Sequence, residues 1–454
     1  MSCDDVRASL EEEVLSKLRP SKVQLRTLSN LYELLKSRLA SYLGSEGLSF
    51  IVEPEGSFAK GTLLSDHWEL DVFVLFKDVD EAWIKAKARE ELERALEGLP
   101  LLIKYSEHPY VTVSLMGLEA DVVPVRYLEK PTRNMMGVSR TPFHTSYVRS
   151  RLNDCMADDV RLLKSLFKGI GAYGAEAHVG GFSGYLSELL IITYGSFHKA
   201  IEAISKWKPP VFIDPESVGD RRDLEERYCN TPLIVVDPVD PARNAAAAVT
   251  AEKLNLAITA AKLYLRRPRR EFFHMFSRYV TLGVGVPAAL LLCRGDYSNS
   301  PPGDVWGRLA RASRSLSSIM AGYGFNVLRT SFYTDERSVA AVGLLLDTLR
   351  LPAIEAVRGP QPYVSSEQIE SFASSRSSEG LWFEEGLIGV RRRKIDSAQR
   401  ALTEAAEQAP LPEGTSGCEV IVFDDVRDAA KISWVLRDWI SRELASTPAW
   451  LLQG

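Results

Sequence analysis

The sequence predicts a multidomain α+β protein. Three observations lead there: a helical leucine stripe followed by short strand-like runs in the first 130 residues, a mainly helical central stretch, and a last region that alternates strands and helices without the glycine signature of a Rossmann crossover. At 454 residues the chain is too long for one ordinary core. We expect three regions: 1–140, 141–265 and 266–454.

In the first region, leucines at 25, 28, 31, 35 and 39 fall on one helical face. Apolar runs at 49–52 and 70–76 read as strands, and 80–96 as a helix. Strands at 110–115 and 118–125 flank Met116-Gly117, a hairpin turn. This is an α/β unit with a mixed sheet. In the second region 160–167 is helical, and Ser183 caps a helix that we expect to run on towards Trp207. An apolar strand at 233–236 meets the chain-breaking turn Asp237-Pro238-Val239-Asp240-Pro241, and 250–265 returns to helix. The third region opens on Arg266-Arg267-Pro268-Arg269-Arg270. It continues with a strand near 283–293, a polar loop, a helix over 305–323, an apolar run at 338–346 and a hairpin at 382–390.

Composition narrows the class. Hydrophobic residues make up 45% and charged residues 25%, as in ordinary globular proteins, and the formal net charge is -5. That balance does not announce a nucleic-acid binder, although phosphate contacts need only a local basic surface. The longest apolar stretch is too short and too broken by glycine and proline to span a bilayer, so no membrane association is expected. The five cysteines (Cys3, Cys155, Cys229, Cys293, Cys418) are scattered, without zinc-ligand spacing. Their odd number, behind an acidic N-terminus with no signal-like character, fits a reducing cytoplasm.

The segment that carries chemistry is Glu55-Gly56-Ser57-Phe58-Ala59-Lys60-Gly61-Thr62, followed by Glu69-Leu70-Asp71-Val72-Phe73-Val74. Alternation along a strand puts Glu69 and Asp71 on one face, roughly 7 Å apart, with Leu70, Val72 and Val74 on the other. Two such carboxylates repel unless a cation lies between them, and hard divalent cations such as Mg²⁺ take oxygen ligands. Asp121, inside the apolar run Leu118-Glu119-Ala120-Asp121-Val122-Val123-Pro124-Val125, supplies a third acid from a neighbouring strand. Upstream, glycine at 56 lets the backbone approach a phosphate, Ser57 offers a hydroxyl and Lys60 a positive charge. Taken singly, each feature is more often an ordinary turn or a solvated strand face. Their order and spacing together point to two-metal phosphoryl transfer.

These residues resemble the polymerase β-like nucleotidyltransferase superfamily: a Gly-Ser turn, an acid-x-acid strand and a distant third acid. Within it the chain is similar to archaeal-type (class I) CCA-adding enzymes, through Glu107-His108-Pro109-Tyr110-Val111, Arg140-Thr141-Pro142-Phe143-His144, Arg161-Leu162-Leu163-Lys164 and Tyr173-Gly174-Ala175-Glu176. The likeness continues in Gly181-Phe182-Ser183-Gly184-Tyr185-Leu186-Ser187-Glu188-Leu189-Leu190 and Val236-Asp237-Pro238-Val239-Asp240-Pro241-Ala242-Arg243-Asn244. The resemblance covers roughly 50–250 and is weaker beyond, where Arg358-Gly359-Pro360-Gln361-Pro362 is its best fragment.

The resemblance implies a nucleotidyltransferase palm or head domain at 1–140, a helical neck at 141–265 that binds nucleotide and tRNA, and an α+β body and tail at 266–454 that bind tRNA. It implies that Glu69, Asp71 and Asp121 hold Mg²⁺ and that Ser57, Lys60, His144, Lys164 and Tyr173 contact the triphosphate. Arg243 would read the cytosine or adenine edge. Lys60 stands where many relatives carry arginine, so its phosphate contact would be a point charge rather than a bidentate clamp. The implied substrates are tRNA, CTP and ATP, and relatives of this type are often homodimers. The basic run Arg391, Arg392, Arg393 and Lys394 is a further candidate for tRNA phosphates, as is 266–270, although charge runs usually serve as solvated faces. His67 and His108 read as a loop residue and a structural histidine. Two other readings share the fold: a poly(A) or oligoadenylate-type polymerase, which an unlimited ATP-only product would reveal, and a non-catalytic RNA-binding protein, against which the intact acid trio argues.

Overall fold

The computed structural model describes residues 9–105, 108–115, 117–132, 135–376, 380–429, 431–432 and 434–452. Cys3, Glu107 and the Met116 of the expected hairpin turn lie outside the described residues. The chain forms two compact units: one runs to Arg278 and takes in the chain again from Ala449, and the other is Tyr279–Pro448.

The first unit contains a five-stranded sheet of order β1-β2-β5-β4-β3. Its strands are β1 (Phe50–Glu55), β2 (Glu69–Phe76), β3 (Leu101–Tyr105), β4 (Pro109–Leu115) and β5 (Leu118–Arg126). β2 and β5 run parallel and the other neighbours antiparallel, which makes the mixed sheet expected from sequence. The leucine stripe lies on helix Lys22–Ser45, capped by Ser21, and buries Leu28, Leu31, Leu35, Leu39 and Leu43. These leucines pack with Leu70, Val72 and Val74, the face of β2 opposite its acids. At about 25 cal/mol per Å² of buried apolar surface, this packing fixes which way the acids point, since a one-residue slip would expose every one of these side chains.

A second core in the same unit gathers helices Thr141–Arg151, Asp154–Gly169, Gly184–Tyr194, Phe197–Lys206 and Ala251–Arg266 around Phe167, Phe182, Phe197 and Tyr264. Ser183 caps its helix by accepting from the Leu186 amide, as expected. The helix does not continue to Trp207: Gly195 turns left-handed at φ +85°, and Ser196 caps a new helix. A two-stranded parallel pair, β6 (Val211–Ile213) and β7 (Leu233–Val235), leads into the Asp237 turn. Phe272, Phe273 and Trp450 are buried in this core, Trp450 with its ring 5.5 Å from that of Phe272.

The second unit is built on a four-stranded antiparallel sheet of order β10-β11-β9-β15, next to β8 (Tyr279–Thr281) in sequence. Its strands are β9 (Ala288–Gly295), β10 (Val327–Thr334), β11 (Val339–Leu346) and β15 (Thr415–Phe423). Helices Pro302–Tyr323 and Ala398–Ala406 cover one face, and Trp439, Ile440 and Leu444 the other. A smaller sheet joins β12 (Ile354–Arg358), β13 (Leu381–Phe383) and β14 (Leu387–Arg392), with β13 and β14 forming the expected hairpin; β16 (Ser446–Pro448) pairs with β8. Cys293 and Cys418 oppose each other on β9 and β15 and are joined in a disulfide, and Cys155 is also a disulfide cysteine. The scattered spacing, read as setting zinc aside, gave no sign of this bond: a pair 125 residues apart meets because two strands align, which linear spacing does not encode.

Candidate functional site

The parallel pairing of β2 with β5 sets Asp71 directly beside Asp121, with Glu69 beside Glu119. Asp71 is half-buried near the start of β2. Its carboxyl is pushed up to about 6 by burial, then by the charges of Asp121 and Glu69. Asp121 accepts from the Thr112 hydroxyl at 2.6 Å and lies 3.7 Å from the Lys104 ammonium. Glu69 turns towards solvent and pairs with His67 at 3.1 Å, a contact that draws its carboxyl below the usual range and raises the imidazole. Across β1, the buried Glu55 faces Asp71; burial above all raises it to about 7. Lys104 and Glu55 were not singled out from sequence, because nothing local distinguishes them from ordinary strand residues.

As they stand, no three acids, histidines or cysteines among the described residues converge closely enough to hold an ion. The donor chemistry nevertheless suits a hard divalent cation. Asp71 and Asp121 are adjacent carboxylates whose repulsion a cation would reverse, and Glu69 sits on a half-exposed side chain two residues along the same face.

Next to the acids, Gly56 adopts φ +63°, and a Cβ there would stand 1.8 Å from Asp71 Oδ2. Glycine is thus required both for the left-handed backbone and for the close approach of the turn to the carboxylate. Ser57 shares a small pocket with Thr62, His67, Lys164, Lys168 and Tyr173, so three of the predicted triphosphate contacts lie together. The loop before β2 is tied down: the Gln24 side chain donates to the Ser65 and His67 carbonyls, and Asp66 accepts from Lys168 and His274, each at 3.0 Å. His67 borders the pocket as well as pairing with Glu69. His108 is buried, with Nε2 2.7 Å from the Pro124 carbonyl.

Both predicted phosphate lysines are engaged by one carboxylate. Buried Glu188 lies 2.9 Å from the Lys60 ammonium and 3.2 Å from that of Lys164, and it accepts from the Thr62 hydroxyl at 2.7 Å. Burial alone would raise Glu188, but the two ammoniums outweigh it and hold it down to about 2. Counted formally, two lysines against one glutamate leave one positive charge, although burial lowers Lys164, which lines the same pocket as Ser57.

A second anionic hub is Asp237, fully buried at the end of the β7 turn. Arg243 Nη1 donates to its Oδ2 at 2.7 Å, and His144 Nε2 lies 2.9 Å from the same oxygen. Tyr185 donates to Oδ1 at 2.9 Å. The Tyr185 ring stacks on His144 at 4.0 Å and lies 5.3 Å from the Lys60 ammonium, linking the two clusters. Burial lowers His144, against the pull of Asp237. Arg243 borders a different, more polar cavity with Arg140, Tyr228 and Asp240. Asp237, Tyr185 and Glu188 were missed as functional candidates although all three lie within family-like motifs. In the second unit, Arg391 and Arg393 are both ion-paired with Glu355; Arg391, Arg392 and Lys394 are exposed.

Three family descriptions match consecutive stretches: a nucleotidyltransferase domain at 36–144, the second domain of tRNA nucleotidyltransferases at 158–274, and the C-terminal domain of CCA-adding enzymes at 298–421. A CCA-adding enzyme of Aeropyrum pernix is 41% identical over 453 residues, covering 97% of this chain and 95% of its own. The chain belongs to the CCA-adding enzyme family. The CCA-adding enzyme of Sulfurisphaera tokodaii is 33% identical, covering 98% of this chain and all of its own length. Among solved structures, the CdnC:HORMA-deltaN complex of E. coli MS115-1 contains a chain similar over 61% of this one, at 19% identity and a TM-score of 0.45, with 96% of that chain covered. Membership makes this protein a nucleotidyltransferase of a family that generally uses divalent metal ions. Among the described residues, no helix is long and apolar enough to cross a membrane.

Proposed function

We propose that this protein adds CMP, CMP and AMP in turn to the 3′ end of tRNA, from CTP and ATP, with release of pyrophosphate. The observation that carries the reading is the side-by-side placement of Asp71 and Asp121 beside a glycine turn that admits no side chain. In this reading Asp71, Asp121 and Glu69 hold Mg²⁺. When bound, two such ions would offset the charge that develops on the attacking 3′-oxygen and on the leaving pyrophosphate. Ser57 donates its hydroxyl to the triphosphate, and the Lys60–Lys164 pair offers it the net positive charge that Glu188 leaves. Tyr173 lines the same pocket, and His144 stacks on the Tyr185 ring, which lies 5.3 Å from the Lys60 ammonium. The 3′-hydroxyl of tRNA attacks the α-phosphate in line and the α–β bond breaks, so binding and orientation form most of the protein's contribution. Arg243 supplies a planar fork of donors that suits the acceptor edges of cytosine and adenine.

The three-part division (head 1–140, neck 141–265, body and tail 266–454) goes with this reading, the last part serving as tRNA-binding surface through exposed residues such as Arg392 and Lys394. Cytoplasmic placement follows from the tRNA substrate. A homodimer rests on the family likeness and is checked by measuring the molar mass in solution, by light scattering. The deciding experiment incubates the protein with tRNA lacking CCA, Mg²⁺ and each labelled nucleotide in turn. Two cytidines and one adenosine followed by arrest are expected. An ATP-only ladder would assign a poly(A) polymerase instead, and tRNA binding without incorporation a non-catalytic protein.

A further inference from the structure

Asp237 lies outside the phosphoryl-transfer chemistry just described, yet its side chain is completely buried and its acceptor positions are filled. Oδ1 takes the Tyr185 hydroxyl at 2.9 Å and the Val239 amide at 3.0 Å; Oδ2 takes Arg243 at 2.7 Å and faces His144 Nε2 at 2.9 Å. An ionised carboxylate has about four acceptor sites, so the group is saturated. The backbone closes the same loop: the Asp237 amide donates to the Arg243 carbonyl at 3.1 Å, and the Arg243 amide to the Asp240 carbonyl at 2.8 Å.

The consequence falls on Arg243. One of its five donors is anchored on a group with no freedom to move, while its side chain is 39% exposed along the polar cavity. A guanidinium is planar, so pinning one nitrogen restricts the plane in which the other donors can meet a ligand. The same carboxylate fixes the His144 ring and, through Tyr185, the aromatic face turned towards Lys60.

We propose that Asp237 is the positioning residue that sets the orientation of Arg243 and thereby the choice of nucleotide. The inference rests on the reading of Arg243 as the base-contacting residue. Tyr185 supports it as a strut, coupling the orientation of the arginine to the triphosphate lysine.

The test compares Asp237→Asn, Tyr185→Phe, Arg243→Ala and the double variant Asp237→Asn/Arg243→Ala in the full-length protein. The readouts are kcat/KM for all four nucleoside triphosphates and the Kd for tRNA. Asp237→Asn keeps the volume but presents an amide, a donor, to donors. We expect the CTP:UTP and ATP:GTP preference ratios to fall on the order of ten-fold, with tRNA affinity retained. Tyr185→Phe keeps the ring and removes one donor; it shifts the ratios in the same direction by less, and it carries the test should Asp237→Asn not fold. The double variant should be no less selective than Arg243→Ala. An equal loss for all four nucleotides, or unchanged ratios, would reduce Asp237 to a structural anchor and overturn the proposal. Unchanged ratios in Arg243→Ala would overturn the base-reading role itself. Lost ratios in Arg243→Ala with retained ratios in Asp237→Asn would overturn the positioning role alone.

Discussion

The Lys60 ammonium lies 2.9 Å from the Glu188 carboxylate, across 128 residues of sequence, and both side chains are almost wholly buried. Removing the acid leaves two lysines facing each other without compensation. Glu188→Gln is expected to cost about 3–5 kcal/mol of stability, the usual penalty for breaking a buried ion pair from one side. The pH dependence has a definite sign. Glu188 titrates lower in the folded chain than in the unfolded one, so its stabilisation is complete above the ordinary glutamate range. It is lost as the pH falls towards about 2. Denaturant midpoints measured from pH 6 downward should show this loss in the parent protein and a shallower one in the variant.

Asp71→Asn and Asp121→Asn should each abolish nucleotide incorporation. In metal-free buffer near neutral pH, the thermal midpoint of Asp71→Asn should rise rather than fall, because burial and two like charges oppose ionisation of the native residue. Chelation should silence the parent enzyme, and added Mg²⁺ should restore it. Incorporation surviving in either variant would remove that carboxylate from the metal site.

Gly56→Ala is a substitution of one methyl group with two consequences. The left-handed backbone costs roughly 1 kcal/mol for a residue with a Cβ. The larger effect is on geometry: the methyl displaces the Asp71 carboxylate, which a Cβ would meet at 1.8 Å. A displacement of that order should lower kcat on the order of 100-fold. A variant with normal turnover would show that the turn need not approach the acid.

Two residues of the basic run at 391–394 share one acid. Arg391 and Arg393 share Glu355, so Arg393→Ala should act on stability and leave tRNA binding nearly unchanged. Lys394→Ala should weaken tRNA binding and reduce the slope of log Kd against log salt by about 0.7–0.9, the share of one phosphate contact. Binding titrations at several salt concentrations separate the two.

Local patterns carried the parts of the structure that are set locally. The period-two alternation of β2 and β5, the leucine stripe of the Lys22–Ser45 helix and the Ser183 cap could all be read from their own sequence. The break at Gly195 was also written there, as glycine followed by a capping serine, but the apolar residues on both sides mask it. β3 was overlooked because five residues ending in Lys104 and Tyr105 make a weak strand signal. Tertiary partners were illegible for a different reason. Neither the Cys293–Cys418 bond nor the choice of Glu188 by two lysines leaves any trace in linear spacing. The acid pair was foreseen; the His67 contact that turns Glu69 aside was not.

The burial of Trp450 beside Phe272 gives the short stretch after Pro448 an unexpected importance. The polypeptide leaves its first unit at Arg278 and comes back at Ala449, so the second unit is an insertion with two tethers. A fragment stopped at 278 would lack the indole that fills its own interior, and Trp450→Ala should destabilise the first unit by about 3–5 kcal/mol. A protease would have to cut twice to release the second unit. A chain interrupted before Trp450 would leave the helical core of the first unit, whose other buried residues run no further than Phe273, unfinished.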